Sequence, residues 1–340
     1  MMKNMLKMKA YYLCLTLALL SILGCHSPTT TKSRIVTDQI GRSVELAQRI
    51  DTIVSVYYLT TSTTVALGKK DALIGIEDSI GSWGSLYELV APELFNLPSV
   101  GSLRGIQIEE IMKLEPDVVI LPKKLREQVD LLEKVGISVI VVDPETVESY
   151  EAMIRLLGEV YQVEERASQL IAYNQEQRSL MMERLEDVEP TTTVYISGGA
   201  TMFNTAPNGM YQSDVIQLAK GRSVSSHIEN DYWVNVSPEQ LIAWNPDIWL
   251  MVQYAKYTEE EILMNPQLRN MQAIQNHRIY HFPSLIEPWD YPTSSSTLGF
   301  LWLVSLLHPE IYSQEMLLTD AKQFFQEFYG IEVDASDLGV

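Results

Sequence analysis

Cysteine is nearly absent: the 340 residues contain two, Cys14 and Cys25. A disulfide-stapled fold and a thiolate metal cluster are thereby excluded. Positive charge is also scarce, with 25 Lys and Arg against 44 Asp and Glu and a formal charge of -19. Such a surface repels nucleic acid and anionic lipid headgroups, which removes both as partners. Catalytic motifs are missing too. No Gly-rich phosphate loop is present, Gly198-Gly199 lacks the nucleotide pattern, and no nucleophile elbow surrounds any serine. The apolar stretch from Tyr11 to Leu23, about 13 residues, is too short for a bilayer that needs about 20.

What the first 24 residues do contain is an export signal. Lys3, Lys7 and Lys9 make a positive start and Tyr11 to Leu23 the apolar region, ending Ile22-Leu23-Gly24-Cys25. That ending resembles the lipobox of bacterial lipoproteins. The resemblance implies cleavage after residue 24, acylation of Cys25 and an extracytoplasmic protein held to the membrane by lipid alone. Removing three lysines brings the formal charge from -19 to -22. Residues 25–34, rich in Ser, Thr and Pro, read as a tether.

From Ile35 the chain turns globular. Ile35 to Leu46 alternates like a hairpin around Gly41, and short β-branched runs then alternate with helical spacing: strands at Ile53, Ala72, Val118 and Ser138, helices at Thr60, Ile108 and Leu125. This alternation predicts an α/β lobe over 35–160 with a mainly parallel sheet. A polar helical stretch from Val163 to about Asp187, with a thin stripe of Ala167, Leu170, Ile171, Leu180 and Leu185, predicts a bridging helix within 161–188. After Pro190 the alternation resumes, giving a second lobe over 189–340. Ile108 to Val118 matches Pro238 to Ile248 at a constant offset of 130, sharing a first-turn glutamate, then proline and aspartate. A repeat in register predicts two lobes of one architecture.

At these residues the chain resembles the periplasmic binding proteins that take up iron siderophores, haem and cobalamin. The matching stretches are Ile53 to Gly75, Val100-Gly101-Ser102, Glu109 with Pro116-Asp117, Trp233 with Val236 to Asp247, and Gly299 to Gly330. The resemblance implies two Rossmann-like lobes joined by one long α-helix and a ligand held between them. It implies a non-enzymatic monomer with no intrinsic cofactor, serving an ABC permease and its ATPase. Glu109 and Glu239 fall where such proteins offer one glutamate per lobe to the permease; their helix positions alone are worth about 0.3 to 1 kcal/mol.

Ligand residues are expected on loops after strands. Those loops carry Tyr57, Tyr58, Trp83, Arg104, Phe203, Trp233, Trp289 and Tyr291. Rigid aromatic area suits a large metal chelate: a siderophore, haem or, alternatively, a corrinoid. Tyr57-Tyr58-Leu59-Thr60 stands where the family often has Ser-Pro-Ser, Leu103 where the cobalamin binder has a cleft tryptophan, and Thr293 in place of a cleft arginine, so a strongly anionic siderophore finds little charge compensation beyond Arg104. For haem, Tyr57, Tyr58 or His227 are the axial candidates. His277 and His281 lie on a predicted strand and share no helical face, so no metal site is assigned to protein side chains. A surface enzyme or scaffold on the same fold is the rival class.

Overall fold

The computed structural model describes residues 33–230 and 232–340. The expected signal, Cys25 and most of the tether fall outside the described residues. β1 (Ser33–Thr37) and β2 (Ser43–Ala47) pair around Gly41, whose φ of +82° is a value glycine reaches without strain. The expected tether is therefore already strand at Ser33 and Arg34, and the Arg34 guanidinium donates to the carbonyls of Glu159 and Val160.

The first lobe holds β3 (Ile53–Ser55), β4 (Leu73–Gly75), β7 (Val118–Pro122) and β8 (Val139–Val142) in a parallel sheet of order β4-β3-β7-β8. Its strands β3, β7 and β8 are buried throughout and mostly apolar because helices cover both faces. The helices are α1 (Tyr58–Ala66), α2 (Leu86–Val90), α3 (Ile108–Leu114) and α4 (Val129–Lys134). A two-residue hairpin, β5 (Gly101–Ser102) and β6 (Gly105–Ile106), carries Leu103 and Arg104 at its tip.

Two antiparallel helices lead to the second lobe. α5 (Val147–Tyr161) starts in a capping box between Thr146 and Ser149 and ends at Gln162 in the left-handed region. α6 (Glu164–Arg184) is the expected long helix, roughly 31 Å over 21 residues. Gly158 lets the pair close at their turn, since a Cβ there would press on Ala167. The buried stripe of α6 includes Tyr173, Asn174 and Met181, whereas Leu180 is exposed. The phase is set by packing against two lobes at once.

The second sheet runs β12 (Val234–Asn235), β10 (Asn204–Thr205), β9 (Thr193–Ser197), β13 (Ile248–Met251), β14 (Ile279–His281), with β11 (Arg222–Ser223) beside β9. β11, β9, β13 and β14 are parallel, and β10 and β12 add an antiparallel flap. Its helices are α7 (Tyr211–Leu218), α8 (Pro238–Trp244), α9 (Glu259–Leu263), α10 (Gln272–Gln275), α11 (Thr297–Leu307), α12 (Gln314–Tyr329) and α13 (Ala335–Leu338). Ser313 caps the start of α12, its side chain accepting from the Met316 amide.

The repeat is a structural one. α3 and α8 are both seven residues long and both end on a left-handed residue, Glu115 and Asn245. Asp117 Oδ2 then accepts the amides of Asp51 and Thr52 at 2.7 and 2.9 Å, while the Asp117 amide donates to Thr52 Oγ1 at 2.9 Å. In the other lobe Asp247 Oδ2 accepts from Thr193 N and Oγ1 at 2.8 and 2.7 Å, and its amide donates to Thr193 Oγ1 at 2.9 Å. Each clasp ties the end of a short helix to the start of a central strand. Charge-assisted bonds of this kind contribute about 1.5 to 3 kcal/mol. Asp117→Ala and Asp247→Ala are each expected to cost about 2 kcal/mol in urea unfolding, additively because they lie in different lobes.

Candidate functional site

The strands of both sheets end facing one another, and the loops that follow them enclose two adjoining cavities. The first, about 310 Å³, is built by the first lobe and closed by Tyr291; Val56, Glu77, Ser102 and Arg104 are among its walls. The second, about 280 Å³, lies between the lobes, with Pro122 to Lys124, Asp143 and Glu145 on one side and Met210 to Gln212, Tyr232, Trp233 and Pro292 on the other. Tyr57, Leu103 and Tyr291 line both, so these three side chains form the waist of one cleft.

Aromatic rings fix that waist. Trp83 is stacked between Tyr58 at 4.8 Å and Tyr291 at 5.5 Å, and Tyr254 meets both Trp83 and Tyr291 edge-on at 5.2 and 5.9 Å. Tyr58 and Trp83 come from the first lobe, Tyr254 and Tyr291 from the second. Such offset and edge contacts add about 0.5 to 1.5 kcal/mol each beyond burial. Burial pushes the Tyr57 phenol well above its usual range, helped by the neighbouring Tyr291 and Glu145. Both waist phenols therefore stay protonated without a ligand.

Behind the rings lies a buried carboxylate, Glu287, shared by the lobes. Its Oε1 accepts from Ser62 and, at 3.4 Å, from Tyr58, both on α1. Its Oε2 accepts from Ser295 Oγ at 2.6 Å and Ser295 N at 3.2 Å. Burial raises the Glu287 pKa, and the hydroxyls of Ser295 and Ser62 pull it back. Alongside, the amides of Ser85 and Leu86 donate to the carbonyls of Leu285 and Ile286 at 3.0 and 2.9 Å. Gly84, at φ +92°, makes this approach possible, since a Cβ would collide with the Ile286 carbonyl.

The family model described as periplasmic binding protein matches residues 53–285, which span both lobes and the cleft. The chain belongs to the periplasmic binding protein family. It is 24% identical to the molybdate-binding protein MolA of Haemophilus influenzae over 92% of this chain and 96% of that one. The molybdate-bound structure of MolA superposes with a TM-score of 0.80 over 88% of this chain and 99% of MolA. An uncharacterized ABC transporter substrate-binding lipoprotein of Bacillus subtilis, YvrC, is 20% identical over 81% of this chain and 90% of its own. A periplasmic solute binding protein of Veillonella parvula shares 26% identity and a TM-score of 0.79 over 91% of this chain and 97% of that one. These relatives are named for binding or transport and not for catalysis. Among the described residues of this periplasmic binding protein, no helix is long and apolar enough to cross a membrane.

Of the eight expected ligand residues, the structure gathers six at the cleft: Tyr57, Tyr58, Trp83, Arg104, Trp233 and Tyr291. Two are elsewhere. Trp289 is fully buried, and its backbone and Cβ lie so close to Gly299 of α11 that no larger residue fits there; its ring belongs to the core. Phe203 packs with Tyr195, Trp249 and their neighbours on the far side of the second sheet and lines neither cavity. His227, an axial candidate for haem, is exposed against the edge of Trp244, away from both cavities. Glu109 and Glu239 stand exposed in the first turns of α3 and α8.

The sequence reading passed over Glu77, Lys123, Lys124, Glu145, Gln212 and Tyr254. Glu77 follows β4, Lys123 follows β7 and Glu145 follows β8, so the strand-end rule points to their loops without telling which side chains the fold encloses. Lys123 pairs with Asp143 at 2.6 Å. Glu77 is 5% exposed and Asp290 1%, and burial pushes each carboxyl up to about 7. For Glu77 the Thr61 hydroxyl and its own amide pull the value back, and Asp78 adds to the rise. For Asp290 the amide of Gln253 and the Tyr254 hydroxyl oppose burial.

A carboxyl whose folded pKa is raised stabilises the fold below its unfolded pKa, and that stability is lost as pH rises through the folded value. Glu77 and Asp290 act in the same sense, each to an upper bound of roughly 3 to 4 kcal/mol. The melting midpoint of the ligand-free protein is therefore expected to fall between pH 5 and pH 8. Glu77→Gln with Asp290→Asn should flatten that decline in a melting series.

Proposed function

We propose that this chain is the substrate-binding lipoprotein of an ABC importer, taking an iron-type metal complex, a siderophore chelate or haem, into the interlobe cleft and handing it to the permease. The observation that carries this reading is the pair of joined cavities, about 310 and 280 Å³, walled by aromatic rings from both lobes. Together they have the capacity of a small-molecule site with rigid flat walls. A bare tetrahedral oxyanion would leave most of that space to water. Few cations line the cleft, which favours a neutral or weakly charged complex. A corrinoid is the alternative within the same class.

A second reading, an oxyanion cargo, is favoured by the similarity to MolA along nearly the whole chain. Arg104 and Lys124 would supply its charge partners. Calorimetric titration of the ligand-free protein with haemin, cyanocobalamin, ferrioxamine B and molybdate separates the readings. A metal complex is expected to bind, and Trp233→Ala and Arg104→Ala are each expected to weaken it at least about tenfold. Tight binding of molybdate alone would replace the first reading with the second, and no binding by any of the four would sink both.

The export signal, the lipobox-like Cys25 and the lipoprotein relative YvrC support anchoring outside the cytoplasm. A lipid there would keep the binder near its permease and raise its effective concentration. Exposed glutamates on two equivalent helices support docking of one per lobe onto cationic pockets. Glu109→Lys with Glu239→Lys is expected to abolish uptake by cells while the calorimetric affinity is unchanged. Cys25→Ser should release the protein into the soluble fraction with the same affinity.

A further inference from the structure

The first cavity is a side compartment of the cleft, and one carboxyl in its lining keeps an oxygen without a partner. Glu77 sits at its wall immediately beyond β4. Its backbone is held on both sides. The Ile76 amide donates to Pro98 O at 3.2 Å, and Val100 N returns a bond to Ile76 O at 2.9 Å. Asp78 N donates to Gly101 O at 2.8 Å. The carboxyl is held too: Oε2 accepts from Thr61 Oγ1 at 2.6 Å, and that hydroxyl lies 2.8 Å from Ser55 Oγ. Oε1 has no hydrogen-bond partner, although the residue is 5% exposed. A buried acceptor left open is costly, and a donor entering the compartment that Glu77 lines would satisfy it.

Arg104, at the tip of the β5–β6 hairpin, is exposed at the same cavity, and Ser102 lies below it. Much of the remaining wall is made by the rings of Tyr57, Tyr58, Trp83 and Tyr291, with Asp78 next to Glu77. The compartment is thus aromatic, with two acidic residues, Glu77 and Asp78, and one basic residue, Arg104, in its lining.

We infer that the compartment receives a pendant arm of the bound metal complex, ending in an amine or another strong hydrogen-bond donor, and that Glu77 accepts from it and selects ligands carrying it. This rests on the proposed metal-complex reading: the bulk of the complex lies between the lobes, past the Tyr57–Tyr291 waist, and the arm reaches back. An ammonium on the arm would meet an ionised Glu77, so binding an amine displaces the proton that burial otherwise keeps on the carboxyl near neutral pH. The phenols of Tyr58 and Tyr87 also face Glu77 and stay protonated throughout this range. Asp78 and Arg104 are the other charged groups lining this cavity.

The test uses two probes that differ only in the arm: ferrioxamine B, a trishydroxamate iron complex whose arm ends in an ammonium, and the same complex N-acetylated. Calorimetry on the full chain at pH 7.5 is expected to show the ammonium form bound about tenfold more tightly. Glu77→Gln should bring the two to within about twofold by weakening only the ammonium form. The wild-type preference should also grow from pH 6 to pH 8, a measurement that needs no variant. Equal affinities in the wild type, a preference that survives Glu77→Gln, or a preference independent of pH would overturn the inference. Failure of both complexes while haemin or cyanocobalamin binds would overturn it and leave the cleft reading standing. Failure of every probe would fall on the cleft reading itself.

Discussion

The buried Glu287 carboxylate governs how the two lobes meet. It has no exposed surface, and it is hydrogen-bonded from both sides, by Tyr58 and Ser62 on one lobe and by the hydroxyl and amide of Ser295 on the other. A carboxyl in that position is costly unless its oxygens are occupied, and removing either lobe's donors would leave one of its oxygens unpaired. The lobes are therefore bound through a group that neither can satisfy alone. Arg166 makes a similar connection from α6, donating to Ala66 O at 3.2 Å and to Phe328 O at 2.9 Å, with its guanidinium 4.7 Å over the Phe328 ring.

The cleft follows from this seam. With Gly84 pressed against the Ile286 carbonyl and Glu287 fixed between α1 and Ser295, the loop that carries Tyr291 has one position relative to Trp83. The stacked rings then hold Tyr57 and Tyr291 side by side at the waist. Two antiparallel helices and a polar seam join the lobes, an arrangement suited to a nearly preformed site.

Much of this was legible from the chain and some was not, for physical reasons. Alternating strands and helices gave the two sheets, and the offset of 130 gave the paired helices down to the shared aspartate. The long helix was legible in extent but not in phase: Leu180 points to solvent and Met181 inward, because two lobes pack against it and one stripe describes only one contact. Trp289 and Tyr291 are two residues apart on one loop, yet one ring is core and the other cleft. Composition carries no information on which way an irregular loop turns. Glu77 was missed for the opposite reason, since a glutamate after a strand reads as solvated until the structure shows it enclosed.

The duplication also limits what each lobe can contribute to recognition. The repeated parts, α3 with Asp117 and α8 with Asp247, clasp a helix to a strand in both lobes and leave Glu109 and Glu239 on the outside. None of those elements lines either cavity. The cavity walls come from other segments, and where two of these are related by the same offset their residues differ: Leu103 in the first lobe stands where Trp233 stands in the second, while Glu77 to Ser79 and the loop around Tyr291 complete the walls. Symmetric elements suit a surface that must present two equivalent contacts, and asymmetric loops suit a pocket that must fit one asymmetric molecule. Ligand choice can therefore diverge among relatives of one fold by changing a few loop residues, with no strain on the clasps or on the Glu287 seam.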